Sequence, residues 1–167
     1  MAHNLLYILT EGSHDAAFVY RILKTKGFTT YNELIKNYPQ PLNNFLSRDI
    51  LNVSIPEVKI QEARSRFLPA YVMNKGNNLI LIYSIGGESK ADIRISLIKA
   101  LNALNQPDPD AIQAIPNTSI SVLYFFDADN LGTETRMNQV IDECKLAFPN
   151  VAFEEKYDPA EFHLFED

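Results

Sequence analysis

The sequence predicts an α/β domain with a mostly parallel central sheet of about four strands and helices on both faces. Three apolar runs bounded by turn residues, LLYILT (5–10), LILIYSI (79–85) and SISVLYFF (119–126), read as strands. Near-continuous runs of this kind suit parallel strands covered on both faces. Apolar residues at helical spacing fill stretches between them, and strand alternating with helix implies crossover connections and parallel pairing.

Each element follows from its own pattern. After the first strand, Ala17, Phe18 and Ile22 fall near one face of a helix from His14 to Lys24. Residues 28–78, nearly 50 residues where a short connection is expected, read as an insertion. It is expected to hold helical pieces at YNELIKNY and NNFLSRDIL and a hairpin turning at NKGNN. Beyond the second strand, Leu97, Leu101 and Leu104 mark a helix that begins near Ser89. The third strand carries only Ser121 as a polar residue within ISVLYFF. A helix from about Thr133 to Phe148 follows, with Met137, Val140, Ile141 and Cys144 on one stripe and Pro-Asn closing it. VAFE (151–154) is expected as a last short strand.

With 167 residues, 46% apolar and 22% charged, the chain has the length and composition of a single globular domain over 1–167. It contains no internal repeat, low-complexity tract or dividing linker. No stretch approaches the roughly 20 apolar residues a bilayer span needs, and the start MAHNLLYILTEG is short and soon acidic for a secretory signal. A soluble cytoplasmic protein without membrane contact is expected. Phe162, Leu164 and Phe165 near the end complete no evident element, which suggests a chain taken from a longer protein. The single cysteine, Cys144, excludes an internal disulfide and any multi-cysteine zinc or iron–sulfur site, and is expected to pack within its helix. None of the eight tyrosines is marked as a nucleophile, and Tyr124 lies inside an apolar strand.

The chemistry gathers where strands end. In open α/β sheets, ligands sit beyond the carboxyl ends of the strands. Glu11 and Gly12 follow the first run, Gly86 and Gly87 the second, Asp127 and Asp129 the third, so all three loops open on one edge. Residues two apart on extended chain share a side, so Asp127 and Asp129 can point together. Two carboxylates completed by waters and phosphate oxygens are a common way to hold Mg²⁺. Acids meeting at one edge repel unless neutralised, and a divalent metal neutralises them. Gly12 removes a side chain beside Glu11, and the glycines before Ser89 place amides at a helix start, where an anion is favoured. Lys90 stands nearby as a phosphate partner.

EGSHD after the first strand and DADNLG after the very apolar third strand together resemble the Toprim domain, a Rossmann-like fold shared by topoisomerases, bacterial primases, ribosomal-RNA maturases and overcoming-lysogenisation-defect nucleases. The resemblance covers about residues 4–27 and 79–155 and leaves the insertion outside. The glycine pair Gly86–Gly87 resembles that of the nuclease-like and maturase-like members, although Glu88 stands where a lysine is more typical. The resemblance implies Glu11 as general acid or base and metal ligand, and Asp127 and Asp129 as Mg²⁺ ligands, with Mn²⁺ as a substitute. Asp15, in an E-G-x-x-D arrangement, would join a second metal, and two metals about 4 Å apart would stabilise attacking and leaving oxygens.

The expected activity is therefore Mg²⁺-dependent cleavage of nucleic-acid phosphodiesters, DNA or RNA. Two alternatives stay open, an inert Toprim-like regulatory or assembly module and an enzyme acting on a small nucleotide. A formal charge of −6, from 21 acids against 15 bases, predicts weak nucleic-acid binding by this chain alone. A locally basic groove is expected to need Lys24, Lys26, Arg64, Arg66, Lys75 and Lys90 gathered by folding, or a protein partner or further chain to supply positive surface.

Overall fold

In the computed structural model, which describes residues 4–40, 42–51, 68–105, 119–127 and 132–147, three parallel strands form the heart of the sheet. They are β1 (Asn4–Thr10), β4 (Asn78–Ser84) and β5 (Ser119–Phe125), with β1 between the other two. β2 (Thr29–Thr30) and β3 (Tyr71–Lys75) extend it beyond β4 in antiparallel pairing, giving the order β2-β3-β4-β1-β5. Among the described residues the sheet is thus five-stranded and mixed, where the sequence predicted about four strands, mostly parallel. The difference comes from the hairpin at NKGNN: β3 and β4 are joined by Gly76 and Asn77, and a short hairpin requires antiparallel strands. VAFE lies outside the described residues.

Helices cover both faces. Odd-numbered residues of β1, Leu5, Tyr7 and Leu9, join Leu79, Leu81 and Tyr83 of β4 in one core. That core is closed by Leu42, Phe45 and Leu46 of α2 (Leu42–Leu51) and by Leu97 and Leu101 of α3 (Ala91–Asn105). On the opposite face, Ile8, Ile80, Ile82 and Met73 pack against Ala16, Val19 and Leu23 of α1 (Ser13–Thr25). The last helix, α4 (Thr133–Ala147), lies against α3.

The described parts of 28–78, read from the sequence as an insertion, contribute to the domain core. Phe28 and Met73 pack beneath α1, and Tyr38, Leu42, Phe45 and Leu46 fill the other face. Burial of a Leu or Phe side chain contributes about 1.5–3 kcal/mol, so this segment stabilises the sheet. NNFLSRDIL forms α2 as expected, whereas YNELIKNY yields only a 3-10 turn at Ile35–Asn37.

β5 departs from the expectation of cover on both sides. Among the described residues it is an edge strand: Ile120, Val122 and Tyr124 pack toward the α3 core, while Ser119 and Ser121 are exposed and Leu123 is 40% exposed. On that outer face Phe125 is stacked with Phe18 of α1 at 6.3 Å between centroids. α1 therefore reaches the carboxyl end of β5.

Candidate functional site

The register of the three parallel strands assembles the site. Thr10 pairs with Ser84 on one side and Phe125 on the other, so β1, β4 and β5 end level. Glu11, the Ile85–Gly87 turn and Asp127 then emerge together at the carboxyl edge. Thr10 fastens two of these loops. Its buried hydroxyl lies 3.1 Å from both the Tyr83 and Gly12 carbonyls, and its own carbonyl accepts the amides of Ile85 at 3.1 Å and Gly86 at 2.9 Å.

Gly86 is pressed against Glu11. A Cβ on Gly86 would stand 2.0 Å from the Glu11 Cα and 2.7 Å from its Cβ, a spacing no side chain permits. Gly87 follows with φ +84°, in the left-handed region that glycine enters without steric cost. The steric demand assigned to Gly12 in the sequence therefore falls on Gly86. Gly12 has extended backbone at φ −131°, ψ 176°, and a Cβ there would meet only Asp15 Oδ2 at 3.4 Å.

The Glu11 carboxylate bridges the first and third loops. Its Oε2 accepts the Asp127 amide at 3.2 Å, and its Oε1 lies 3.6 Å from a terminal nitrogen of Arg136, in the first turn of α4. Arg136 Nε also donates to the Asp127 carbonyl at 3.0 Å, and its other terminal nitrogen donates to Gln139 Oε1 at 3.3 Å. Glu11 and Asp127 are thus brought together through backbone, carboxylate and guanidinium. Asp129 lies outside the described residues.

Asp15 Oδ2 accepts the Gly12 amide at 2.8 Å, capping the first turn of α1. Among the described residues no three His, Cys, Asp or Glu side chains gather as a metal site. Glu11 and the exposed Asp127 still offer hard oxygen donors of the kind Mg²⁺ takes when waters and phosphate complete its shell.

A buried ion pair underlies the glycine turn. Arg94 of α3 is 3% exposed and donates to the carbonyls of Ile85 at 2.9 Å and Gly87 at 2.7 Å. Its remaining edge faces Glu143 of α4, with Nε 2.8 Å from Oε2 and the second terminal nitrogen paired with Oε1. Its guanidinium carbon also sits 5.2 Å from the centroid of the Phe126 ring, next to Asp127. One side chain thereby ties the second loop, the third loop and α4.

Sequence reasoning missed Thr10, Arg94, Arg136 and Glu143. The signal for three of them was a charged residue inside an apolar helical stripe: Arg94 shares one with Leu97, Ile98 and Leu101, and Arg136 and Glu143 share one with Val140 and Ala147.

Near Glu143, burial, reinforced by Cys144 and Glu143, pushes the Tyr124 phenol above its ordinary range, and burial pushes the Cys144 thiol up. Both stay protonated at neutral pH, which suits packing and disfavours nucleophilic roles.

Of the described lysines expected to form a basic groove, three lie away from this edge. α1 carries the chain about 20 Å back from Gly12, so Lys24 and Lys26 lie toward the other end of the sheet. Lys75 lies there too, opposite Asn78, which pairs with Asn4 at the start of β1. Lys75 Nζ is 5.9 Å from the Phe28 ring centroid, and Lys24 Nζ is 5.6 Å from that of Tyr20. Lys90, whose amide donates to the Gly87 carbonyl at 3.2 Å, is on the site's edge. Arg64 and Arg66 lie outside the described residues. Among those residues no helix is long and apolar enough to cross a membrane.

Comparison with protein-family models, curated proteins and solved structures finds no match.

Proposed function

We propose that the chain is a Toprim-like, metal-dependent phosphoryl-transfer enzyme that cleaves nucleic-acid phosphodiesters. The observation that carries this reading is the bridge from the Glu11 carboxylate to the Asp127 amide at the carboxyl edge of three level parallel strands. Glu11 and Asp127, with Asp129, would hold Mg²⁺ or Mn²⁺, which supplies Lewis-acid stabilisation of the phosphoryl oxygens when bound. Glu11 also handles a proton. The turn from Gly86 to Lys90 gives backbone amides and one cation on the side where a phosphate would enter.

Incubation of labelled single-stranded and duplex DNA and RNA with Mn²⁺ tests the proposal. Cleavage should be lost in Glu11→Gln and Asp127→Asn, and cleavage that survives both substitutions would refute these roles.

The position of Lys24, Lys26 and Lys75 away from this edge favours a second reading, an enzyme of the same chemistry acting on a small nucleotide. Turnover of a dinucleotide as fast as that of a long strand would select it.

A further inference from the structure

We infer that the outer ridge of α1 is a track for single-stranded nucleic acid, leading from the carboxyl edge of the sheet to a basic corner at its other end. The inference rests on the nucleic-acid reading above and adds the strandedness of the substrate and the surface that holds its flanking nucleotides.

His14, Phe18, Arg21 and Thr25 are exposed and spaced four, three and four residues apart, so they share one face of α1. That face lies opposite the buried Ala16, Val19 and Leu23. Phe18 is 55% exposed beside the carboxyl end of β5, which leaves its ring open to a stacking partner. At the far end of the ridge the charges are of one sign. Residues 16–32 and 68–87 contain Arg21, Lys24, Lys26 and Lys75 and no Asp or Glu, in a chain of net charge −6. These bases are exposed, and among the described residues none pairs with a carboxylate. Lys75 reaches the corner from the β3–β4 hairpin: a Cβ on Gly27 would stand 4.0 Å from its Cε. Lys24 complements the dipole in the last turn of α1, but Arg21 and Lys75 stand outside that turn. Tyr20, stacked with Tyr71 at 4.6 Å between centroids, lies 5.6 Å from Lys24 Nζ.

Aromatic rings set among bases suit an unpaired strand, whose bases are open to stacking while its phosphates meet cations. A duplex keeps its bases stacked internally and gains nothing from the rings, and an acidic protein segment would use the charges alone. From Gly12 to Lys24 the helix rises about 18 Å, the length of about five nucleotides at roughly 3.4 Å each. Bases that stand away from the carboxyl edge thus serve a strand, and a small nucleotide would leave them unused.

Fluorescence anisotropy of labelled oligothymidylates and oligouridylates with the full chain in EDTA tests binding apart from cleavage. A strand of about 12 nucleotides should bind about tenfold more tightly than one of about 4, which is too short to span from the site to the bases, and than a duplex of the longer length. Arg21→Gln combined with Lys24→Gln should weaken binding of the longer strand and flatten its dependence of log affinity on log salt by about 1.4, roughly 0.7 per phosphate. Phe18→Ala should weaken it about tenfold, the effect of one stacked base, whereas Phe18→Tyr should preserve it. Equal affinity for both lengths, preference for the duplex, or indifference to Phe18→Ala and to the paired Gln variant each overturns the inference. Competition by polyglutamate as effective as that by unlabelled oligothymidylate also overturns it, as does absence of binding by the unaltered protein at low salt. Should Mn²⁺-dependent cleavage still require Glu11 and Asp127 in those cases, the nuclease reading stands without the track. Binding that needs the track, with no cleavage in Mn²⁺, supports the track and refutes the nuclease reading.

Discussion

Gly86 and Glu11 come from different strands, yet their backbones meet so closely that the space for a Cβ on Gly86 is taken by the Glu11 Cα, 2.0 Å away. The clash is with backbone, which cannot rotate aside. Gly86→Ala should cost about 3 kcal/mol or prevent folding, and any folded fraction should have Glu11 displaced. Gly12→Ala should cost less than about 1 kcal/mol, because Gly12 has ordinary extended geometry. Denaturant melts of the two variants check the contrast, and equal costs would contradict it.

Removing one member of the Arg94–Glu143 pair leaves the other buried and uncompensated. Arg94→Met or Glu143→Leu should each destabilise by about 3–5 kcal/mol, and the double variant should recover much of that loss. The double variant should still differ at the site. Amide exchange at Ile85 and Gly86 should quicken relative to β1 amides, since the guanidinium that holds the Ile85 and Gly87 carbonyls is gone.

Alkaline pH should destabilise the fold through Tyr124 and Cys144. Their folded values are raised above the ordinary 10.0 and 9.0. Above pH 9 the unfolded chain loses these protons while the folded chain keeps them, so unfolding becomes easier as pH rises. Their contribution is complete below pH 9 and is lost progressively above it. Tyr124→Phe should flatten this alkaline fall in melting temperature, and an unchanged slope would place its cause elsewhere.

Under the proposed nuclease reading, charge position should separate the lysines. Lys90→Glu should reduce Mn²⁺-dependent cleavage of a short oligonucleotide roughly tenfold, as expected for a charge-assisted phosphate contact of about 1.5 kcal/mol. Joint substitution of Lys24, Lys26 and Lys75 by Glu should leave that short substrate unaffected, because those residues stand toward the other end of the sheet. kcat/KM at two salt concentrations discriminates the two sets.

Sequence patterning located the cores of β1, β4 and β5, all four helices to within a few residues at most ends, the hairpin at NKGNN and the edge on which Glu11, Gly86 and Asp127 emerge. These are local properties: apolar periodicity, turn residues and the direction of parallel strands are written in consecutive residues. The tertiary fold decided that β5 lies at the edge of the described strands, that α2 and β3 complete the core, and that Gly86 rather than Gly12 yields its side chain to Glu11. It also decided the partners of Arg94 and Arg136. Arg94 and Glu143 are 49 residues apart, and Asp127 and Glu11 are 116 apart. Which buried charge meets which depends on strand order and helix packing, and no spacing within one segment records either.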